Sequence, residues 1–150
     1  IETAYVHLDG ECIDQHLKKP GSVIPFKEKY RTELLTLDRI TTGENRETIL
    51  SGHLKSSLLY LSDGKVRGAY FPDLFDRFIL ADDPDAGTEL MKLRMRVKNT
   101  ARFPISNQSA IDFLLANNYK QVRTSRKMRL GKKTGWIPEN IFNRISGGLG

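Results

Sequence analysis

The sequence predicts an α+β fold with a mixed, mostly antiparallel twisted sheet and helices on both of its faces, in three layers. The clearest signal is Asp63-Gly64, a hairpin turn that separates the strand-like segments SSLLYLS and KVRGAYF. Residues 103–130 add strand, helix and strand patterns without a gap. Residues 88–97 form a helix pattern between two further strands, and a crossover of this kind joins parallel strands.

The N-terminal residues predict a strand followed by an extended arm. Residues 3–8 alternate weakly and end at the turn signal Asp9-Gly10. Residues 19–26 are interrupted by proline and glycine, which is typical of a linker. Because the first residues lie in a strand already under way, we expect the chain to be part of a longer protein. We divide it into an N-terminal strand and arm, a central domain and a C-terminal tail: residues 1–26, 27–135 and 136–150.

Two helices are predicted at the start of the central domain. Tyr30 and three leucines recur at helical spacing over residues 27–37, opposite a charged face. Thr41 or Thr42 is expected to cap a second helix, which runs through Leu54.

Three strands follow, at residues 57–61, 66–71 and 75–81, and they predict an antiparallel meander. Gly68 lies inside the second strand, which indicates a bulge or a close approach by another group. A strand at residues 100–105 is expected beside the third strand and parallel to it.

The helix before that last strand is expected to begin at Asp82 or Asp83, either of which can cap it. Lys92 and Arg94 are assigned to its solvated side, together with the other basic residues of the segment.

Residues 107–117 predict an eleven-residue helix, with Asn107 as its cap and Asn117-Asn118 at its end. Only a narrow polar stripe interrupts its apolar residues, so the helix should pack against a sheet. We place Phe113 and Leu114 in the core.

The net charge is +6, and seven of the fourteen residues at 120–133 are Lys or Arg. An alternative function follows from this strand, a nucleic-acid- or anion-binding module. Base stacking would need interleaved aromatic residues, and only Tyr119 lies there. We therefore expect an exposed edge strand that is kept soluble by charge, and we do not expect nucleic acid as a partner.

Several classes of protein are excluded. The single cysteine, Cys12, allows no internal disulfide or multi-cysteine zinc site, and the three histidines stand alone, so we assign no metal. No apolar run approaches the roughly 20 residues of a membrane span. We expect a soluble, cytoplasmic protein with no membrane partner.

The region 37–150 resembles the GNAT superfamily of N-acetyltransferases, and more narrowly the C-terminal domain of tandem GNAT proteins. The tail GWIPENIFNRISGGLG is similar to the way those proteins end. The other residues that carry the resemblance are Asn107, Ala110, Phe113, Asn118-Tyr119, Met128 and Gly131.

The resemblance implies acetyl transfer from acetyl-CoA to an amine, which the sequence does not identify, and a neighbouring GNAT domain upstream. It also implies that Leu80, Ala81, Gly87 and Asn107 bind the cofactor. In this family the pyrophosphate lies on a helix N-terminus, within a Q/R-x-x-G-x-G/A loop.

Asp82, Asp85 and Gly87 stand at the three conserved positions of that loop, and only Gly87 fits. The three carboxylates of Asp82, Asp83 and Asp85 lie where the pyrophosphate would bind and repel it at such short range, so the loop looks degenerate and we expect weak or absent cofactor binding. In this family a tyrosine often acts as the general acid that protonates the leaving thiolate. The corresponding position here is Leu114, which has no proton to donate, so we assign no catalytic residue. The chain's own residues thus argue against full activity of this domain alone.

The family's D-x-x-x-x-G-x-x-R pattern corresponds to Asp38, Gly43 and Arg46. An Asp-Arg pair that joins two helices is more often structural than catalytic, and we expect a structural role.

Overall fold

The structure, a computed structural model, describes residues 3–127 and 135–146. Short 3-10 turns lie at Pro20–Ser22, Glu28–Tyr30, Ser51–Ser56 and Pro138–Asn140. The strands are β1 Thr3–Asp9, β2 Val23–Pro25, β3 Leu58–Ser62, β4 Lys65–Phe71, β5 Phe78–Ala81, β6 Thr100–Pro104, β7 Lys120–Lys127 and β8 Ile141–Asn143. The helices are α1 Arg31–Thr42, α2 Glu47–Leu50, α3 Pro84–Met95 and α4 Gln108–Ala116.

Within these residues the strands form two sheets, with the orders β2-β3-β4-β5-β8 and β6-β1-β7. Every hydrogen-bonded pair of strands is antiparallel. The helices form two layers outside the sheets. The α+β class and the mostly antiparallel sheet are therefore confirmed.

The layers follow from the alternation of side chains along the strands. In β5, Ile79 and Ala81 join a core cluster that includes Leu90 of α3 and Leu114 of α4. Phe78 and Leu80 face the other way and join a second cluster, with the buried leucines of α1 and α2. All four residues of β5 are buried, because helices cover both faces of this strand.

The hairpin predicted at Asp63-Gly64 is confirmed. Asp63 has a φ of 53° and Gly64 a φ of 73°, as a two-residue primed turn requires. Gly68 also behaves as expected. The β3–β4 register shifts beside it, and a Cβ at Gly68 would lie 3.0 Å from both Ala81 Cβ and Leu90 Cδ1.

The capping of the second helix is a correction. Thr41 and Thr42 do not begin a helix but lie buried in the last turn of α1. The helix ends at Gly43, whose left-handed φ of 73° lets its N–H donate to Arg39 O. α2 then begins at Glu47, whose N–H donates to Asn45 Oδ1, and it is only four residues long.

The Asp38–Arg46 pair joins these helices, as expected for a structural role. Arg46 Nη2 donates to Asp38 Oδ1 at 2.6 Å and Nε donates to Oδ2 at 3.1 Å. Both side chains are buried, and the Arg46 guanidinium also lies 5.0 Å from the ring centre of Phe78. Such a bidentate pair satisfies both buried charges at once.

The N-terminal segment differs from an extended arm. Within residues 19–26, Val23–Pro25 pairs with β3 as the edge strand of the five-stranded sheet. β1 lies at the centre of the three-stranded sheet, between β6 and β7. Both parts of residues 1–26 therefore contribute strands to the fold.

The position of β6 is also a correction. β5 and β6 do not lie side by side, because the tail strand β8 lies between them. β8 is antiparallel to β5, with Ile79 opposite Asn143 and Leu80 opposite Ile141. On its other side, Arg144 N–H donates to Arg102 O at 2.8 Å, and Asn107 Nδ2, just beyond the end of β6, donates to Ile141 O at 2.8 Å. β5 and β6 thus run in the same direction, as predicted, but on opposite sides of β8.

Asn107 caps α4, as predicted, because its Oδ1 accepts from Ala110 N–H at 3.1 Å. The helix has nine residues instead of eleven. Leu114 is fully buried, whereas Phe113 is only half-buried and Leu115 is 49% exposed. The helix therefore packs on the sheet along one stripe, and only part of its apolar surface is core.

Replacing Leu114 with alanine should lower the free energy of unfolding by about 2–5 kcal/mol, because it leaves a cavity. Leu115→Ala, one residue along the same helix, is the matched control and should change it by less than about 0.5 kcal/mol. Urea denaturation of both variants measures the difference. Equal losses would show that α4 docks through a different face.

Within the described residues, β7 lies at the edge of the three-stranded sheet, where it pairs with β1. Its residues KQVRTSRK contain no aromatic side chain, so the strand offers no stacking platform for bases. The remainder of the basic segment, residues 128–133, lies outside the described residues.

Candidate functional site

The end of the cleft between β5 and β6 holds the residues expected to bind a cofactor. α3 begins directly after β5, and Asp83 caps it by accepting from Asp85 N–H at 2.9 Å. α4 begins shortly after β6. A cavity of about 340 Å³ opens between the two helix N-termini. Its lining includes Ala81, Asp82, Asp83, Asn107, Asn140 and Phe142.

The structure brings the four predicted cofactor residues together here, around β8. Leu80 is paired with Ile141, and Asn107 Nδ2 donates to Ile141 O at 2.8 Å. Ala81 lines the same cavity as Phe142. Each of the predicted positions therefore borders a strand of the chain's own tail.

Gly87, the single residue that fits the family's loop, packs against the ring of Phe142. A Cβ added at Gly87 would lie 2.2 Å from Phe142 Cζ, closer than any real contact allows. The glycine in the first turns of α3 thus makes room for an aromatic side chain. No local sequence signal indicates this partner, because Phe142 lies 55 positions further along the chain.

The loop between β5 and α3 is acidic. Burial raises the pKa of Asp82 above its ordinary value, while the Arg67 guanidinium, 3.2 Å from its Oδ2, acts in the opposite direction. Asp83 already uses one N–H group of the helix N-terminus as its cap. Glu139 adds a further carboxyl group to the cavity lining. The electrostatic environment of this helix N-terminus does not favour an anion.

Two basic residues of α3 are not on a solvated side, which corrects the expectation. Lys92 Nζ donates to Glu89 Oε1 at 2.7 Å, and both side chains are buried. Arg94 is buried as well, and its Nε and Nη2 donate to Asp76 O. The reason is tertiary: the segment before β2 covers this helix, for example through Ile13 N–H, which donates to Met95 O at 2.9 Å.

His7 and Ser125 form a pair that resembles a nucleophile and its base, but with the wrong tautomer. His7 Nε2 lies 2.8 Å from Ser125 Oγ. Arg123 Nε donates to His7 Nδ1 at 3.4 Å, so the proton of the neutral ring must sit on Nε2 and point at Ser125. Burial, followed by the charges of nearby arginines, lowers the pKa of His7, which favours the neutral ring. With its proton on Nε2, His7 cannot accept a proton from Ser125 Oγ.

Within the described residues, the strand tyrosines Tyr60 and Tyr70 and the helix residue Leu114 form no catalytic arrangement. Tyr70 Oη accepts a long, 3.5 Å contact from Arg77, and Leu114 lies in the core. Tyr60 borders a small cavity of about 130 Å³ beside the Lys92–Glu89 pair. Over residues 3–127 and 135–146 no cluster of three potential metal ligands occurs, and no helix there is long and apolar enough to cross a membrane.

No protein-family model matches the sequence, and neither does any curated protein sequence. Solved structures do match the fold. A candidate acetyltransferase of Pyrococcus horikoshii is similar over 99% of this chain and 52% of its own, with a TM-score of 0.75 and 17% identity. An acetyltransferase of the GNAT family from Colwellia psychrerythraea is similar over 80% of this chain and 53% of its own, with a TM-score of 0.57 and 10% identity.

The chain therefore has the fold of the GNAT acetyltransferases. It spans about half the length of each of these two structures.

Proposed function

We propose that the chain is a GNAT-type domain of an N-acetyltransferase that transfers the acetyl group of acetyl-CoA to an amine. We propose further that it is one half of a tandem protein, and that the other half holds the cofactor. The fold supports the first statement. The coverage of about half of two similar structures supports the second.

The observation that carries the proposal is the position of β8. Its neighbours β5 and β6 are the strands around which the sheet of this family splays, and β8 fills the gap between them. Ile141, Phe142 and Ile145 are each at most 2% exposed. Burying three such side chains contributes roughly 5–9 kcal/mol. That is about the whole binding free energy of a micromolar ligand, about 8 kcal/mol, so a cofactor could not displace this strand and still bind tightly.

The chemistry of acyl transfer points the same way. In this reaction a base deprotonates the amine, the nitrogen attacks the thioester, and backbone N–H groups stabilise the oxyanion. β5 is hydrogen-bonded on both edges, to β4 and to β8. The pairing with β8 covers Ile79 and Leu80, where an exposed strand edge would otherwise offer backbone donors to a ligand. We infer that this half completes or stabilises the substrate pocket of its neighbour.

Calorimetry with acetyl-CoA tests the degenerate site. We expect the chain to bind with a Kd weaker than about 1 mM. The double variant Asp82→Arg, Asp85→Gly restores the family's loop but leaves β8 in place, so it should bind no better. The matched control, Asp73→Arg with Asp63→Gly, makes the same change of charge at exposed positions away from the cleft. Low-micromolar binding by the unmodified chain would refute the proposal, and a gain confined to the loop variant would show that the carboxylates, not β8, close the site.

Steady-state kinetics of the full-length protein test the division of labour. The protein should consume acetyl-CoA in the presence of an amine acceptor. The variant Asp82→Arg, Asp85→Gly should keep a KM for acetyl-CoA within about twofold of that of the unmodified protein, because these residues do not contact a cofactor that the other half holds. A tenfold change in that KM would place the cofactor in this domain instead.

A further inference from the structure

A second cavity lies at the opposite end of the cleft, where β5 and β6 begin. It has a volume of about 140 Å³, several times the roughly 30 Å³ that one water molecule occupies in the liquid. Three of its six lining residues are cationic and one is acidic. The residues that line it are Asp76, Arg94, Lys98, Thr100, Arg102 and Asn143.

Arg94 forms the buried wall of this cavity. Its guanidinium donates to Asp76 O through Nε at 3.1 Å and through Nη2 at 2.9 Å, and to Thr100 O through Nη1. These acceptors are neutral carbonyl groups, so they satisfy N–H groups without balancing the charge. Burial accordingly lowers the pKa of Arg94 to about 10.

Two further cations, Lys98 and Arg102, face the cavity. Over the described residues, no hydrogen bond or ion pair joins the side chain of Lys98 or Arg102 to another group. The carboxylate in the lining, that of Asp76, is matched by Arg144 Nε at 3.3 Å. Asp9 lies opposite Thr100 in the β1–β6 register but forms no ion pair with these cations in the part of the chain that the structure describes. The cavity therefore carries an excess of positive charge.

The loop beside the cavity is strained. Phe75 has a φ of 41° and Arg77 a φ of 65°, and two residues other than glycine in the left-handed region cost about 1–3 kcal/mol each. Asp76 lies between them, and its backbone oxygen accepts from Arg94 and from Asn143 Nδ2 at 2.7 Å. Asn143 Oδ1 in turn accepts from Arg102 N–H at 2.9 Å. The same groups that hold the strained loop thus also fix the cavity wall.

We propose that this cavity is an oxyanion-binding site, which takes the phosphate or carboxylate group of a small ligand between Arg94, Lys98 and Arg102. Arg102 supplies a planar pair of donors and Lys98 a mobile point charge at the mouth. The inference rests on this cavity and not on the proposed acetyl transfer, because the cavity lies at the other end of β5 and β6 from the acidic loop.

NMR titration of the chain with inorganic phosphate tests this, at constant ionic strength maintained with chloride. We expect saturable shifts of the backbone amides of Thr100 and Arg102. Arg102→Gln should weaken phosphate binding about tenfold, as expected for a lost hydrogen bond to a charged group. Lys98→Gln should weaken it about threefold, as expected for an exposed charge. Lys65→Gln, at an exposed position on the β3–β4 hairpin, removes one charge elsewhere and should have no effect.

These variants should fold normally, because Arg102 contacts Asn143 through its backbone N–H, which the substitution does not remove. Titration with acetate distinguishes the two ligand classes. Tighter binding of phosphate would assign the site to a phosphate group, and tighter binding of acetate to a carboxylate. Shifts spread over the whole surface, or an affinity equal in Arg102→Gln, Lys98→Gln and Lys65→Gln, would overturn the proposal.

Discussion

Replacing Phe142 with alanine should destabilise the protein by about 3–5 kcal/mol, measured as the free energy of unfolding in urea. The side chain is 1% exposed and fills the space above Gly87, between α3 and the sheet. No other substitution tests so directly whether the tail strand belongs to the core. A loss below about 1 kcal/mol would mean that the tail is only loosely attached and that the cleft between β5 and β6 can open.

A double-mutant cycle sharpens this test. Gly87→Ala alone should destabilise by about 1–3 kcal/mol or more, because the new Cβ would meet the ring of Phe142 at 2.2 Å. In the Phe142→Ala background the ring is absent, so the same change should be neutral or favourable. This non-additivity is the signature of direct contact. Gly52→Ala is the control, since no atom lies within 4 Å of a Cβ at that position.

Breaking the Asp38–Arg46 pair should have a similarly large effect. Asp38→Ala leaves the Arg46 guanidinium buried without its bidentate partner, and we expect a loss of about 3–5 kcal/mol in urea denaturation. The double variant Asp38→Leu, Arg46→Met should recover a substantial part of it, because no unpaired charge remains.

The exposed pair Asp14–Arg96, 3.0 Å apart, provides the control, and Asp14→Ala should change the stability by less than about 0.5 kcal/mol. If Asp38→Ala were equally mild, or if the double variant were worse than the single one, the pair would have a role other than joining α1 to the region of Arg46.

The proposed function depends on a contrast between fold and site. The fold is that of the GNAT acetyltransferases, whereas Gly87, the residue that fits the family's loop, packs against Phe142, and carboxylates line the neighbouring cavity. From the sequence, weak cofactor binding is expected because of three carboxylates, those of Asp82, Asp83 and Asp85. We propose a steric cause as well, because β8 lies between β5 and β6 whatever the charge of the loop.

Local features of this protein were determined by the sequence itself. Asp63-Gly64 specifies the hairpin because a primed turn needs two residues that accept a positive φ. Asn107 specifies the start of α4 because its short side chain reaches an N–H group three residues ahead. Each of these signals involves neighbours in sequence, where the physical interaction and the pattern coincide.

The tertiary structure decided the features that depend on distant contacts. β8 is three residues long, which is too short for periodicity to reveal a strand, and it is buried only because β5 and β6 leave a gap for it. Lys92 and Arg94 fit the polar face of a helix by spacing, yet residues before β2 and the loop at Asp76 cover them. The cationic cavity likewise forms from the loop before β5, from α3, from β6 and from β8, since long-range packing, and not local propensity, places unlike segments around one space.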